Sequence, residues 1–220
     1  MTRRGLLVPM LAGLGLSACA PLIGRGETLG PEGWRETHLA YGPDARQILF
    51  IARPQQAQHL PVLLVLSGAA VMNEDQALAR RLADQGVVAV VVGRRANPVG
   101  VFPAYTSDAA RAVAYVTERA DALGGHRKAV GVLGLGAGVR PALMLVHDGR
   151  YLASAGMTGR LPMVAVLGEG EGADPTLTHP SAYAPPAGAP RLWKGSEGDE
   201  AQAVTALKQH LNRCCHSLEL

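Results

Sequence analysis

The run Val87-Val88-Ala89-Val90-Val91-Val92 constrains this chain more than any other stretch. β-Branched side chains fit a pleated strand, and they lose rotamer freedom in a helix. With no polar residue alternating into the run, such a strand has to be buried on both faces. A sheet of that kind needs helices on both sides, which is the architecture that alternating strands and helices build.

The flanking sequence alternates accordingly. Gln47 to Ala52 reads as a strand and Pro61 to Leu66 as a continuous apolar one. A helix is predicted from Asn73 to about Gln85, stopped by Gly86. Another runs from about Tyr105 to Leu123, with Ala109, Ala112, Val113 and Val116 on one stripe. Ala129 to Leu133 is a further buried strand, followed by a glycine-rich turn and a helix to about His147. Met163 to Leu167 and Arg191 to Trp193 add strands; a helix over Glu200 to Leu211 and a short strand close the chain. Asp174 to Pro190 is a proline-rich loop expected over the top of the sheet. The predicted fold class is therefore α/β, a mostly parallel central sheet flanked by helices. Hydrophobic residues make up 48% of the chain but aromatics only 4%, so Ala, Val and Leu must fill the core.

The N-terminus reads as an export signal. Arg3 and Arg4 precede an apolar stretch, Leu6 to Leu16, that is broken by Pro9 and several glycines and is too short to span a bilayer. It ends in Leu16-Ser17-Ala18-Cys19, which resembles the lipobox of bacterial lipoproteins. That resemblance implies a lipidated Cys19 as the first mature residue and membrane attachment at the cell envelope. The arginine pair also resembles a twin-arginine signal. The expected division is 1–18 signal peptide, 19–40 lipidated N-terminus and tether, and 41–220 the α/β domain.

Net charge is only +3, and no basic run is interleaved with aromatics, so nucleic acid is not an expected partner. Cys214 and Cys215 are adjacent, which disfavours a disulfide between them, and Cys214-Cys215-His216 lacks metal-site spacing. They read as small residues entering a buried strand, and no metal or cofactor is expected.

The chemistry-bearing motif follows the strand Ala129 to Leu133 and reads Gly134-Leu135-Gly136-Ala137-Gly138. A strand, a tight turn and a helix with G-x-S-x-G spacing make a nucleophile elbow, which holds a serine hydroxyl in a strained, exposed turn. Gly134 and Gly138 keep the flanks, but Gly136 stands where the serine would be. Other segments resemble the carboxylesterase branch of the α/β-hydrolase superfamily, nearest the acetyl xylan and feruloyl esterases. They are Tyr41-Gly42-Pro43-Asp44, Phe102-Pro103-Ala104 with Asp108, and Gly149-Arg150-Tyr151-Leu152-Ala153, in that family's order.

The resemblance implies an α/β-hydrolase fold, shortened at its C-terminus, and also where its site should lie. The oxyanion segment falls on Ser67-Gly68-Ala69-Ala70, with Ala137 completing the pocket after the elbow. The acid loop falls on Gly195-Ser196-Glu197-Gly198, one residue before Asp199, which becomes the candidate acid. No histidine matches the family's base; His216 comes too early. Asp108 reads as a helix N-terminal residue favoured by the dipole.

The expectation is thus an esterase-like domain without esterase activity, binding a small molecule, an ester among the candidates, or a partner. Three other readings stand beside it. Ser67 could replace the nucleophile, the catalytic C-terminal part could lie outside this sequence, or the glycine turn could cradle a nucleotide phosphate.

Overall fold

The structure, a computed structural model, describes residues 24–29, 33–68, 70–95, 102–157, 161–167, 191–196 and 199–216. In chain order the strands are β1 (Gly24–Leu29), β2 (Trp34–Ala40), β3 (Ile48–Pro54), β4 (Leu60–Leu66), β5 (Val88–Val92), β6 (Gly125–Leu135), β7 (Met163–Leu167) and β8 (Arg191–Gly195). The helices are α1 (Asn73–Asp84), α2 (Ala104–Arg119), α3 (Val139–His147), α4 (Arg150–Ser154) and α5 (Glu200–His216).

All eight strands join one sheet in the order β1-β2-β3-β5-β4-β6-β7-β8. The pairs from β1 through β5 are antiparallel, and those from β5 through β8 are parallel. Because β4 pairs with both β5 and β6, the chain reverses its direction of travel across the sheet there. In sheets of this kind, ligands settle outside the carboxyl ends of the strands at such a switch point.

Each face of the sheet carries its own core. Val88, Val90 and Val92 of β5 pack with Ala109, Ala112, Val113 and Val116 of α2 and with Ala142 and Leu145 of α3. Ala89 and Val91, pointing the other way, meet Leu78 and Leu82 of α1 and Ala203 and Val204 of α5. Alanines line the helix faces against the sheet, so the backbones come close and few aromatics are needed.

Three expectations are corrected. The segment read as a tether is partly sheet, since β1 and β2 extend it on its antiparallel side. β2 is mostly half-buried rather than continuously apolar, which is why it does not read as a core strand. Polar groups fasten β2 to α1. Trp34 Nε1 donates to Asp84 Oδ1 at 2.5 Å, and the Arg80 guanidinium donates to both Glu36 oxygens at 2.7 and 3.1 Å. Second, α5 continues to His216, so Cys214 and Cys215 lie on a helix and not on a strand. Nothing between Leu211 and His216 breaks a helix: the stretch has no proline and no glycine. The proline-rich segment Asp174 to Pro190 lies outside the described residues, as do Cys19, Ala69, Glu197 and Gly198.

The third correction concerns Asp108, which sits a full turn into α2 and is completely buried. It accepts from the Arg95 backbone N–H at 3.0 Å, from the Arg95 guanidinium at 2.8 to 3.1 Å, and from Gln47 Nε2 at 2.7 Å. It therefore ties β3, the end of β5 and α2 together, which a dipole interaction at a helix start would not do. Burial alone would raise its carboxyl, but the bonds from Arg95 and Gln47 outweigh this and hold it below the usual carboxylate range.

Because the native carboxyl binds its proton less readily than the unfolded one, this stability is complete above about pH 5 and fades as the pH falls below about 4. The variant Asp108→Asn should lose about 3 kcal/mol at neutral pH by leaving Arg95 without its counter-charge. Its unfolding free energy should also fall less steeply with acid than that of the native protein, as urea titrations from pH 7 to pH 3 would measure.

Candidate functional site

Strand register sets the geometry of the carboxyl end. Val65 of β4 lies opposite Val91 of β5 on one side and Leu133 of β6 on the other. Three residues beyond that row come Gly68, Arg94 and Gly136. The three segments that carry the oxyanion residues, the end of β5 and the elbow thus emerge side by side, about 5 Å from one to the next.

The elbow is built by two glycines that have no freedom to be anything else. A Cβ on Gly138 would stand 1.8 Å from the Leu66 carbonyl oxygen and 2.8 Å from the Ser67 nitrogen. A Cβ on Gly134 would stand 2.7 Å from the Ala142 Cβ and 2.9 Å from the Gly138 oxygen. The turn is therefore wedged between the end of β4 and the first turns of α3. Its middle residue is different: Gly136 has φ +48°, and a Cβ there would meet nothing within 4 Å. The turn keeps the left-handed backbone of an elbow and aims position 136 into open space, without a side chain to fill it.

The structure brings Ser67, Gly68, Gly134, Gly136, Ala137 and Gly138 together. Ala137 is exposed beside the turn, and Ser67 follows β4 directly. The Ser67 hydroxyl is buried, and no described residue is hydrogen-bonded to it as an activating base would be.

Asp199 is held by local hydrogen bonds. Its chain position follows β8, two strands from β6, or about 10 Å across the sheet. Its carboxylate accepts from the Ser196 backbone N–H at 3.0 Å and from Gln202 Nε2 at 3.1 Å, while its carbonyl accepts from the Ala203 N–H at 2.9 Å. Its carbonyl thus takes the first backbone bond of α5, while its carboxylate closes the turn that leads into the helix.

The histidines with described side chains lie elsewhere. His59 and His126 sit at the opposite end of the sheet, just before β4 and at the start of β6, with rings 6.1 Å apart. His38 is on β2, four strands from the elbow, tilted against Phe50. His147 ends α3, about 12 Å along the helix from Val139. Among the described residues no group of three His, Cys, Asp or Glu side chains could hold a metal ion.

Sequence reasoning passed over a polar cluster at the end of β5, on the far side of β4 from the elbow. The Tyr41 hydroxyl donates to the Gly93 carbonyl at 2.6 Å, and burial pushes it far above the usual phenol range. Arg94 is only 8% exposed, with its guanidinium carbon 5.6 Å from the centre of the Tyr105 ring. Desolvation lowers its pKa, opposed by Tyr105, Tyr41 and Asp108. The available signal was Arg94-Arg95 itself, two charges directly after a strand buried on both faces. A separate cleft of about 440 Å³ opens between α2 and α4, lined by Ser107, Arg111, Asp148, Arg150, Tyr151 and Ser154. No elbow residue lines it.

The sheet order, the flanking helices and the elbow at the end of β6 define the α/β-hydrolase fold. Residues 49–151, from β3 to the start of α4, match the model of the BD-FAE family. Among solved structures the chain is similar to a bacterial heroin esterase, with a TM-score of 0.62, 18% identity and coverage of 82% of this chain and 85% of that one. It is also similar to MGS-M1, an α/β-hydrolase enzyme from a Medee basin deep-sea metagenome library, with a TM-score of 0.54, 16% identity and coverage of 81% and 78%. Against esterase B of Lactobacillus rhamnosis the TM-score is 0.52 at 19% identity; the match takes in 62% of this chain and about half, 49%, of that one. No curated protein matches the sequence.

Steric demand separates the three glycines of the turn. Gly138→Ala should destabilise the fold by at least about 3 kcal/mol, because the new methyl meets backbone that cannot move away. Gly136→Ala should cost only about 1 kcal/mol, the strain of a left-handed alanine partly offset by a stiffer unfolded chain. Denaturant unfolding of the two variants side by side would measure this difference.

Proposed function

We propose that this chain is an exported lipoprotein whose esterase-type hydrolase domain has lost ester hydrolysis and serves to bind a small ligand or a partner at the cell envelope. The observation that carries this reading is Gly136, an elbow position with open space before it and no nucleophile. The flanking glycines answer to packing alone: Gly134 and Gly138 are fixed against α3 and β4, so the turn can persist without a serine at its centre.

The rest of the site supports the same reading. The Asp199 carboxylate is engaged by the Ser196 N–H and the Gln202 side chain, and the Ser67 hydroxyl has no hydrogen-bond partner among the described residues. A hydrolase lacking a triad member keeps only on the order of 10³ to 10⁴ of its acceleration, from oxyanion stabilisation and binding. A nucleotide reading loses its main support, because the flanking glycines make room for the chain's own backbone and not for a phosphate. The Cys19 lipid would place the domain on a membrane, and no helix among the described residues is long and apolar enough to cross one.

Purified protein should hydrolyse p-nitrophenyl acetate no faster than buffer, and Gly136→Ser should not react with a fluorophosphonate probe. Robust turnover by the native protein would overturn the loss of activity, and strong labelling of the variant would show that an activating base is in place. In cells, incorporation of an alkynyl palmitate should disappear in Cys19→Ala; labelling that persists would remove the lipoprotein assignment.

A further inference from the structure

The cleft between α2 and α4 is lined by polar side chains from both helices. Ser107 and Arg111 stand four residues apart on α2, and Tyr151 and Ser154 three apart on α4, so each helix turns a polar pair to the same space. At about 440 Å³ the cleft falls within the range of small-molecule sites. It shares no residue with the elbow.

Charge decides what such a cleft can take. Two guanidiniums, Arg111 and Arg150, line it with one carboxylate, Asp148. Asp148 and Arg150 satisfy each other. Arg150 Nε donates to Oδ1 at 2.8 Å, Nη2 donates to Oδ2 at 2.7 Å, and the Arg150 backbone N–H donates to Oδ1 at 3.1 Å. These bonds hold the Asp148 carboxyl below the usual carboxylate range, so it stays ionised at neutral pH. The Arg111 guanidinium makes no hydrogen bond or ion pair among the described residues and is left as the surplus charge. One surplus positive charge matches a monoanion. A phosphate dianion would bring a second negative charge beside Asp148 and be opposed by it.

The uncharged groups add direction. Burial first, and Asp148 after it, raise the Tyr151 phenol above its usual range, so at neutral pH it is a donor. The Ser107 hydroxyl gives its one proton to the Pro103 carbonyl at 3.2 Å, so anything else that bonds to it must donate. The cleft thus offers a guanidinium and a phenol to an anionic group, and an acceptor to a hydroxyl. Ala155 and the Tyr151 ring add apolar surface for a short carbon chain.

We propose that this cleft binds a small hydroxycarboxylic acid, with its carboxylate on Arg111 and its hydroxyl on Ser107. The fork of a guanidinium matches a carboxylate in bidentate fashion. Side chains four apart on a helix start about 5 to 6 Å from each other, which lets one short acid touch both. The site goes beyond the reading of the elbow and does not depend on it.

The test is titration calorimetry of the purified protein at pH 7 with lactate, propionate, inorganic phosphate and chloride at equal ionic strength. Lactate should bind saturably, propionate at least about fivefold more weakly for want of the hydroxyl, and phosphate and chloride without saturation. Arg111→Gln should weaken lactate at least about tenfold, the scale of a charged hydrogen bond. Arg119→Gln removes a guanidinium that lies over Tyr115, outside the cleft, and should bind lactate as the native protein does. In the native protein the Tyr151 ring resonances should move with lactate and stay still with chloride, a readout that needs no variant to fold. No saturable lactate binding, propionate or phosphate binding as tightly as lactate, equal loss in Arg119→Gln, unchanged affinity in Arg111→Gln or a silent Tyr151 would each overturn the proposal. Ester turnover would strike the preceding reading and leave these outcomes unaffected, so the two fail separately.

Discussion

The contact between the end of β4 and the turn after β6 is the tightest constraint in this molecule. Gly138 lies so close to the Leu66 carbonyl that even a methyl group has no room. That approach fixes how α3 leaves the sheet, and α3 in turn closes the core over β6 and β7. Gly134 makes the matching approach from the strand side, against Ala142 of the same helix. Together they lock three consecutive elements into one arrangement. A turn held this way has a conformation set by packing and not by whatever chemistry its middle residue performs.

This separates two demands that coincide in an active nucleophile elbow. The flanks answer to sterics, and their replacement would cost the fold itself. The central residue answers to function, because it touches nothing. A hydroxyl at this position would add almost nothing to the packing, and glycine carries less of the left-handed strain than serine would. A scaffold can therefore outlive its nucleophile without any compensating change in the core. The same logic applies to Asp199, whose carboxylate is stabilised locally by the Ser196 backbone N–H and the Gln202 side chain, independent of any histidine.

Legibility in the sequence followed the same division. β5 and β7 were readable because burial on both faces demands an unbroken apolar run, and the elbow was readable because its glycines are obligatory. β1 and β2 were not, because a strand at the antiparallel side carries Arg35, Glu36, Thr37 and His38 in sequence, and its partners are chosen by long-range pairing with β3. The full length of α5 was also missed, since the polar stretch after Leu211 has weak periodicity of its own. Asp108 was misread for a different reason. Its position in α2 was correctly placed near the helix start, but the two donors that define its role come from Gln47 and Arg95, on other elements. Sequence distance hides such a knot entirely.

The two arginines after β5 show what that knot implies for the site. Arg95 and Asp108 are joined by several bonds, and the pair braces the end of β5 against α2. Arg94, one residue earlier, lies against the same helix with its guanidinium over the Tyr105 ring. A cation–π contact offsets part of the desolvation of a guanidinium, on the order of 1 to 2 kcal/mol, and the transfer cost is larger than that. The two neighbouring guanidiniums thus meet the same problem differently: Arg95 offsets its desolvation with the Asp108 carboxylate, while Arg94 rests on the Tyr105 ring with its Nε unbonded, so of the two it contributes less to holding β5 against α2.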